Sequence, residues 1–374
     1  MNHTIQDIIE AVRAHGQRGA AKRLGIPRTT LQNHLKRAAL QGYSPQHDMT
    51  KTVPDGYLVK GVSTYYDKEG KPKAQWVKSA IDRERMEVLM ERWIESMLQG
   101  VPRVPVIPHS GQEMYPDLMA AYIFGDPHVG MLSWNDETGS NWDLEIAKRV
   151  HIDAMAEMVE RAPASETALV INLGDLLHFD SMEAKTPRSG HFVDADGRYS
   201  RMVDVAVVMM RTLIEEALRK HKLVHVISIQ GNHDETSGQN VAKMLAIAYE
   251  NNPRVTVDTS PSVYRYHRFG NNLIGVHHGH TCKPAGLPAV MQNDERRQFA
   301  ATENHYWHVG HFHYADRKEY ADCIVEVHNT LAARDAYAHN GGWRSKRSAV
   351  CIVYDKHKGE DGRFYAYVKK EKSE

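Results

Sequence analysis

The stretch "LVHVISIQGNHD" (223–234) is an apolar run that ends abruptly in a glycine, an amide, an imidazole and a carboxylate. An apolar run bounded by a turn residue predicts a buried strand, and a Gly-Asn pair could by itself be only a turn. Four other predicted strand ends carry similar polar clusters: "GDPHVG" (125–130), "GDLLHFD" (174–180), "HHGH" (277–280) and "GHFH" (310–313). Because ligands bind at the carboxyl ends of strands in α/β sheets, we expect the five clusters to converge on one crevice.

Short apolar strands alternate with long amphipathic helices after about residue 117. The predicted strands are 118–126, 167–175 and 223–230, and the predicted helices are 142–162, 200–221 and 238–250. The last third has consecutive strand-like segments and one helix near 285–299. This order predicts an α/β fold with two sheets back to back and helices outside, a four-layer α-β-β-α sandwich.

The composition is that of a globular protein with one large domain and a smaller one: 374 residues, 41% of them hydrophobic, with no formal net charge. Three widely spaced cysteines argue against a disulfide framework or a CxxC zinc site and for a reducing compartment. The sequence has no apolar stretch of membrane-spanning length and begins with a charged, amphipathic segment. These features predict a cytoplasmic protein with no membrane partner.

The five clusters offer carboxylate, amide and imidazole groups, which suit divalent ions such as Mn, Fe or Zn. Taken singly, each cluster is more often a turn or a satisfied core histidine than a ligand set. Taken together they favour metal, because burying an unpaired carboxylate and several imidazoles costs several kcal/mol that a cation would offset.

In order and type, D-x-H, G-D, G-N-H-D, H-G-H and G-H-x-H resemble the five motifs of the calcineurin-like metallophosphoesterases, over roughly residues 118–330. Within that family, "DPHVG" and "GDLLH" are most similar to the double-strand-break-repair nucleases, including the bacterial SbcD-like exonucleases. The forms typical of protein Ser/Thr phosphatases are absent from the sequence. The resemblance implies two divalent metal ions, with Mn²⁺ as the first choice and Fe, Zn, Ni or Mg as alternatives.

The resemblance assigns metal ligands at seven positions. It places Asp126, His128, Asp175 and His313 on a first ion, and Asn232, His278 and His311 on a second, with Asp175 bridging the two.

The resemblance also implies two catalytic residues that are not ligands. His233 would face the phosphate and protonate the leaving oxygen, and Asp234 would orient His233. The two cations would neutralise the phosphodiester and lower the pKa of a water toward neutrality.

The sequence departs from the nuclease pattern in a polar insertion at 182–201 and in a short tail after the last motif. The insertion is either a solvated loop or a segment that contacts substrate at the rim of the crevice. The candidate substrate contacts are His178, Arg188 and Arg198.

Residues 4–43 break into three short helical pieces, with Gly25 ending the second and Pro27 starting the third. The pattern "AAKRLGIPRTTLQNHLK" resembles the Fis-type helix-turn-helix. Residues 1–40 carry seven Lys and Arg against two Asp and Glu, which favours DNA binding over a packing or oligomerisation module. The third helix would present these side chains to a major groove: Arg28, Thr29, Thr30, Gln32, Asn33, Lys36 and Arg37.

The sequence predicts three regions: a helix-turn-helix domain at 1–45, a linker region at 46–115 and a metallophosphoesterase domain at 116–374. The linker region would contain a β-hairpin at 56–80, a helix at 82–100 and a Pro-rich segment at 101–112.

We therefore expect a metal-dependent phosphodiesterase that hydrolyses DNA as an exo- or endonuclease, with DNA as the partner of both domains. The alternatives are a phosphomonoesterase or cyclic-nucleotide phosphodiesterase with a regulatory N-terminal domain, and a non-catalytic DNA-binding protein. A homodimer is a further expectation, because helix-turn-helix proteins often read two half-sites.

Overall fold

The structure, a computed structural model, describes residues 3–40, 57–66, 72–81, 88, 104–105, 107, 111 and 113–368. The chain divides into two compact units, Met1–Gly100 and Val101–Glu374. The helix predicted at 82–100 and most of the Pro-rich segment lie outside the described residues.

The first unit begins with helix α1 (Ile5–Leu24), which Thr4 and Asp7 cap reciprocally at its start. Gly16, with φ 64° and ψ 169°, interrupts α1, and Gly25 ends it in the left-handed conformation before α2 (Arg28–Leu40). The three helical pieces predicted from the sequence are thus present. Their common core contains Ile8, Ala11, Ala20, Ala21 and Leu31.

The predicted hairpin is also present in the first unit. Strands β1 (Tyr57–Tyr66) and β2 (Pro72–Ile81) pair antiparallel. Tyr65 and Trp76 are exposed on it, so these aromatic side chains do not form a packed core there.

The second unit contains eleven strands among its described residues, in two sheets. The strands are β3 (Tyr115–Phe124), β4 (Ser165–Asn172), β5 (Leu223–Ser228), β6 (Val255–Asp258), β7 (Arg265–Phe269), β8 (Asn272–His277), β9 (Asn304–Val309), β10 (Asp316–Tyr320), β11 (Cys323–Val327), β12 (Ser348–Asp355) and β13 (Gly359–Tyr367). One sheet has the order β13-β12-β3-β4-β5-β6 and the other the order β10-β11-β9-β8-β7. Strands β3 to β6 are parallel to one another, as are β8, β9 and β11.

Seven α-helices accompany these sheets in the described part of the second unit: α3 (Asn135–Thr138), α4 (Leu144–Arg161), α5 (Tyr199–Lys220), α6 (Ser237–Ala248), α7 (Leu287–Asp294), α8 (Arg296–Ala300) and α9 (Ala336–Asn340). Helices α4, α5 and α6 contact the first sheet, and α7 contacts the second.

Alternation along the strands produces the layers. Ile274 of β8 and Tyr306 of β9 face the first sheet and share a core with its Ile123 and Leu169. Their neighbours Leu273 and Trp307 point the other way and pack with α7. The two sheets therefore lie face to face with helices outside, which confirms the predicted four-layer α-β-β-α sandwich.

Strands β6 and β10 were not predicted. β6 is only four residues long, and four of the five residues of β10 are exposed. Both lie at sheet edges, where one side of the strand has no neighbour and the sequence need not be apolar.

Candidate metal centre

All seven predicted ligands lie on loops that follow the carboxyl ends of β3, β4, β5, β8 and β9. Parallel pairing within each sheet brings those ends together, and a parallel bridge between Gly125 and Thr330 joins the ends of β3 and β11. The five clusters therefore converge at one edge of the two sheets, as the sequence predicted.

The backbone at these loops is unusual. Six non-glycine residues of the described chain have positive φ, and five of them are predicted ligands: Asp126, His128, Asp175, His311 and His313. A positive φ is uncommon for residues with a Cβ and costs free energy, so it persists where surrounding structure imposes it, often at functional sites.

One group of donors consists of Asp126, His128 and His313. His313 Nε2 lies 3.3 Å from Asp126 Oδ1, and His128 Nε2 lies 3.3 Å from His313 Nε2. The Asp126 carboxylate also accepts the backbone N–H of His311. These three side chains each offer one atom within 4.8 Å of the others, so they could hold one metal ion.

A second group consists of Asp175, His278 and His311, again with donor atoms within 4.8 Å of one another. His278 Nε2 lies 3.2 Å from Asp175 Oδ2 and 3.0 Å from Asn232 Oδ1. Its other ring nitrogen, Nδ1, donates to the carbonyl of Leu173 at 2.7 Å, which leaves Nε2 to face the cluster. Asn232 thus lies where the sequence placed it, beside this group.

The electrostatics of the second group favour positive charge. Burial raises the pKa of Asp175, but the imidazoles of His278 and His233 outweigh burial and hold it well below its usual range. Burial lowers the pKa of His278, yet the carboxylates of Asp175 and Asp126 raise it to about 9. The buried carboxylates of this site therefore stabilise a cation next to them.

A divalent cation fits the donors of the cluster. They are carboxylate and amide oxygens and imidazole nitrogens, and Asp126 and Asp175 are buried. In addition, His178 Nε2 is buried and has no hydrogen-bond partner among the described residues. Burial and the neighbouring His233 lower the pKa of His178 to about 3, so its ring is neutral and one of its two nitrogens has a lone pair to offer.

Gly231 is required by the close approach of two loops. A Cβ at this position would lie 2.0 Å from Asp175 Oδ1 and 2.4 Å from the Asp175 backbone nitrogen. No residue with a side chain fits there, so this glycine lets the loop after β5 reach the carboxylate of the loop after β4.

The structure corrects the role given to Asp234. Its carboxylate accepts the backbone N–H groups of Gly231 at 2.7 Å and Leu177 at 3.1 Å, and so braces two of the site's loops. His233 is held differently: its Nδ1 lies 2.8 Å from the carbonyl oxygen of His178, and its backbone N–H donates to Asp175. The group that orients the His233 ring is thus a backbone carbonyl, not Asp234.

Of the three candidate substrate contacts, His178 lies in the cluster. Its ring stacks on His233 with centroids 5.4 Å apart, and its Nδ1 is 3.1 Å from His128 Nδ1. Arg188 is exposed and forms an ion pair with Glu235, the residue that follows "GNHD". Arg198 is exposed at the start of α5.

Some groups at the site left no recognisable signal in the sequence. The carbonyls of Leu173 and His178 orient two histidines, and a carbonyl is common to every residue type. Thr330 donates its hydroxyl to the carbonyl of Asp126 at 2.7 Å, from a strand end that carries no ligand motif. Its contribution depends on the β3–β11 bridge, which only the fold reveals.

A further group of potential donors, His308, Glu326 and His328, lies buried elsewhere in the unit. Arg363 binds both carboxylate oxygens of Glu326, at 2.8 and 3.2 Å. His308 spans His328 and the hydroxyl of Tyr354 at 2.9 and 2.8 Å. Because the carboxylate already has a cationic partner, this group is a satisfied polar network rather than a metal site.

In the first unit, α2 has one buried face and one exposed face, as a helix that binds in a major groove requires. Leu31 and Ala38 are buried in the unit. Five of the seven predicted DNA contacts are exposed: Arg28, Thr29, Gln32, Asn33 and Lys36. Thr30 is half-buried, and the side chain of Arg37 lies outside the described residues.

No protein-family model and no curated protein sequence matches the chain. Solved structures similar to it include an archaeal phosphodiesterase, at 13% identity and TM-score 0.34, with coverage of 67% of this chain and 100% of that one. Vps29 from Entamoeba histolytica in complex with zinc is similar at 16% identity and TM-score 0.30, with coverage of 67% and 98%. A conserved Streptococcus pneumoniae protein described as a predicted phosphoesterase has 11% identity and TM-score 0.29, with coverage of 67% and 98%. With identities and scores this low, the function has to be inferred from the side chains of the site.

Among the described residues, no helix combines the length and the apolar character that a membrane crossing requires.

Proposed function

We propose that this protein is a calcineurin-like metallophosphoesterase of the nuclease branch, which uses two divalent ions to hydrolyse phosphodiester bonds in DNA. The proposal rests on two neighbouring groups of donors, each able to hold one ion. His278 Nδ1 lies 3.9 Å from Asp126 Oδ1, so the two groups are in contact. Two adjacent cation sites lined by oxygen and nitrogen suit in-line displacement at phosphorus.

Asp126, His128 and His313 would hold one ion, Asn232, His278 and His311 the other, and Asp175 would lie between them. Bound there, the ions would neutralise the phosphodiester and lower the pKa of a water that attacks phosphorus. Mn²⁺ is our first choice, because the donors are hard or intermediate and the cysteines, none of which belongs to these groups, offer no thiolate.

The chain's own contribution to the chemistry centres on His233. Its Nδ1 donates to the carbonyl of His178 at 2.8 Å, so Nε2 is the ring nitrogen that can take up and release a proton. The ring lies edge-on to His128, with centroids 4.8 Å apart, which places it beside the ligands. We assign to Nε2 the proton that the leaving oxygen needs as its bond to phosphorus breaks.

We infer that the polymer is DNA from the first unit, where the exposed face of α2 carries basic and amide side chains that suit a major groove. A DNA-reading helix combined with a phosphate-cleaving site favours a polymeric substrate over a small phosphoester. Cytoplasmic location and a two-fold dimer remain predictions from the sequence.

The experiment that tests this function compares substrates in the presence of Mn²⁺. Purified protein is incubated with labelled linear, circular and single-stranded DNA, and separately with p-nitrophenyl phosphate and its bis-ester. We expect cleavage of DNA and of the bis-ester. Cleavage of the monoester alone would refute the nuclease, and cleavage of circular DNA would identify an endonuclease.

The DNA-binding role of α2 predicts a change in salt dependence. Lys36→Ala should weaken binding to duplex DNA and reduce the slope of log affinity against log salt concentration by about 1, because one phosphate contact is lost. The measurement is fluorescence anisotropy across a salt series. Lys22→Ala, an exposed lysine in the last turn of α1, is the matched control. Equal slopes for wild type and Lys36→Ala would contradict the assigned contact.

A further inference from the structure

Exposed aromatic side chains concentrate around the edge that carries the metal centre. Ten large hydrophobic side chains are exposed in the described part of the second unit, and seven lie on loops that follow β3, β4, β9 or β11. Four of them form what we call the aromatic rim: Trp134 (62% exposed), Phe192 (80%), Tyr337 (74%) and Trp343 (56%).

The loops that carry the rim are joined to one another. Leu132, two residues before Trp134, donates its backbone N–H to the carbonyl of Asp194 in the insertion after β4. Ser133 donates its hydroxyl to the carbonyl of Arg334 at 2.7 Å, in the loop after β11. The loop with Trp134 thus lies between the loop with Phe192 and the loop with Tyr337 and Trp343.

The same loops begin at the metal centre. The loop after β3 supplies Asp126 and His128 before it reaches Trp134. The loop after β11 starts at Thr330, whose hydroxyl donates to the carbonyl of Asp126 at 2.7 Å. The loop after β4 supplies Asp175 and continues into the insertion. The three loops that carry the rim therefore also carry ligands of the metal centre or a residue that hydrogen-bonds to one.

The rim offers ring faces and cations together. Tyr337 and Trp343 meet edge to face, with centroids 5.3 Å apart, so the pair is braced while both side chains stay exposed. Lys185 Nζ lies 4.4 Å above the ring of Phe192 and 2.6 Å from the carboxylate of Glu183. Arg344, next to Trp343, is exposed. Flat apolar rings beside positive charge match a nucleotide, which has a flat base and a negative phosphate.

We propose that the aromatic rim stacks unpaired bases of a DNA strand whose phosphate lies at the metal centre. This inference rests on the proposed function and specifies its substrate as single-stranded or locally unpaired DNA. In a duplex, neighbouring base pairs cover the faces of each base, so exposed rings on the protein gain nothing from it. Stacking tolerates any base, so the rim would bind without sequence preference.

The test compares single-stranded and duplex binding. Trp134→Ala and Tyr337→Ala are made in the full chain, and fluorescence anisotropy without added metal measures their affinity for labelled oligo-dT and for the same strand in a duplex. Each variant should bind oligo-dT about 5- to 100-fold more weakly, as expected for one lost stacking contact, with duplex binding changed by less than about 2-fold. The kcat for bis-p-nitrophenyl phosphate with Mn²⁺ should be unchanged.

Tyr115→Ala is the matched control, because Tyr115 is also exposed (59%) but begins β3, at the end of that strand remote from Asp126. It should bind oligo-dT like wild type. Unchanged oligo-dT affinity in both rim variants, or equal losses for single strand and duplex, would overturn the stacking role. Failure of wild type to hydrolyse the bis-ester would instead refute the phosphodiesterase and leave the binding comparison to judge the rim on its own.

Discussion

Asp175→Asn is expected to remove most of the bound metal and, with it, activity on DNA and on small diesters. The substitution keeps the size of the side chain. It also keeps an oxygen that can accept the backbone N–H of His233, which donates to Asp175 Oδ1 at 2.8 Å in the wild type. It removes the negative charge that faces His278 Nε2 at 3.2 Å. The loss of metal can then be attributed to charge and ligand chemistry rather than to a cavity.

The expected size of this effect follows from the burial of Asp175 and its place in the second donor group. Replacing a residue that hydrogen-bonds to a metal ligand commonly lowers metal affinity or activity by about 10- to 100-fold. Replacing a buried charged ligand should therefore lower both by more than about 100-fold. Mass spectrometry of metal content after dialysis against Mn²⁺, followed by metal-free buffer, gives the ratio of metal to protein. Hydrolysis of the bis-ester is measured on the same sample.

Asp196→Asn makes the same chemical change outside the cluster. Its carboxylate accepts the backbone N–H of Leu144 at 2.9 Å, a bond that an amide oxygen can keep. This control should retain metal and turnover. Full metal content in Asp175→Asn would show that the carboxylate is not a ligand, and equal losses in both variants would point to general destabilisation.

The ligands could be predicted from the sequence because strand ends and chemistry coincide in it. Asp126, Asp175 and His278 each lie at the end of an apolar run. The rule that ligands bind at the carboxyl ends of strands and the donor chemistry of these side chains therefore indicate the same site. The left-handed backbone at Asp126 and Asp175 could not be predicted, since contacts between distant loops impose it.

The error over Asp234 has a physical origin. Adjacency in "GNHD" favoured contact between Asp234 and His233, yet neighbouring residues in a turn point in different directions. The carboxyl group turns inward and accepts the backbone N–H groups of Gly231 and Leu177, because a buried polar group needs hydrogen-bond partners. The histidine finds its partner in the carbonyl of His178, from another loop. Sequence neighbours indicate the residue types at a site better than they indicate its hydrogen bonds.

The aromatic rim could not be predicted for a different reason. Trp134, Tyr337 and Trp343 are residue types that are usually buried at least in part, and nothing in the sequence distinguishes exposed rings from core rings. Trp142, eight residues after Trp134, is fully buried and packs with Met131 and Ala147. Only the packing of the loops decides which of these rings remains available to a ligand.

His233→Ala is expected to keep the metal ions and lose most of the turnover. The His233 ring is oriented through Nδ1 by the carbonyl of His178 and lies against His128, so its removal takes away a proton donor without removing an assigned ligand. General acid catalysis contributes about 10²- to 10⁴-fold, which sets the expected loss of kcat on DNA. Metal content, measured as for Asp175→Asn, should match wild type.

The leaving group provides the sharper measurement. A p-nitrophenolate leaves without a proton, whereas the alkoxide of a deoxyribose needs one, so His233→Ala should reduce cleavage of DNA far more than hydrolysis of the bis-p-nitrophenyl ester. His191→Ala, an exposed histidine of the insertion, is the control and should reduce neither. His233 also shares a group of potential donors with His128 and His178. If it were a ligand, the variant would lose metal and would cleave both substrates less by the same factor, because both depend on the same ions.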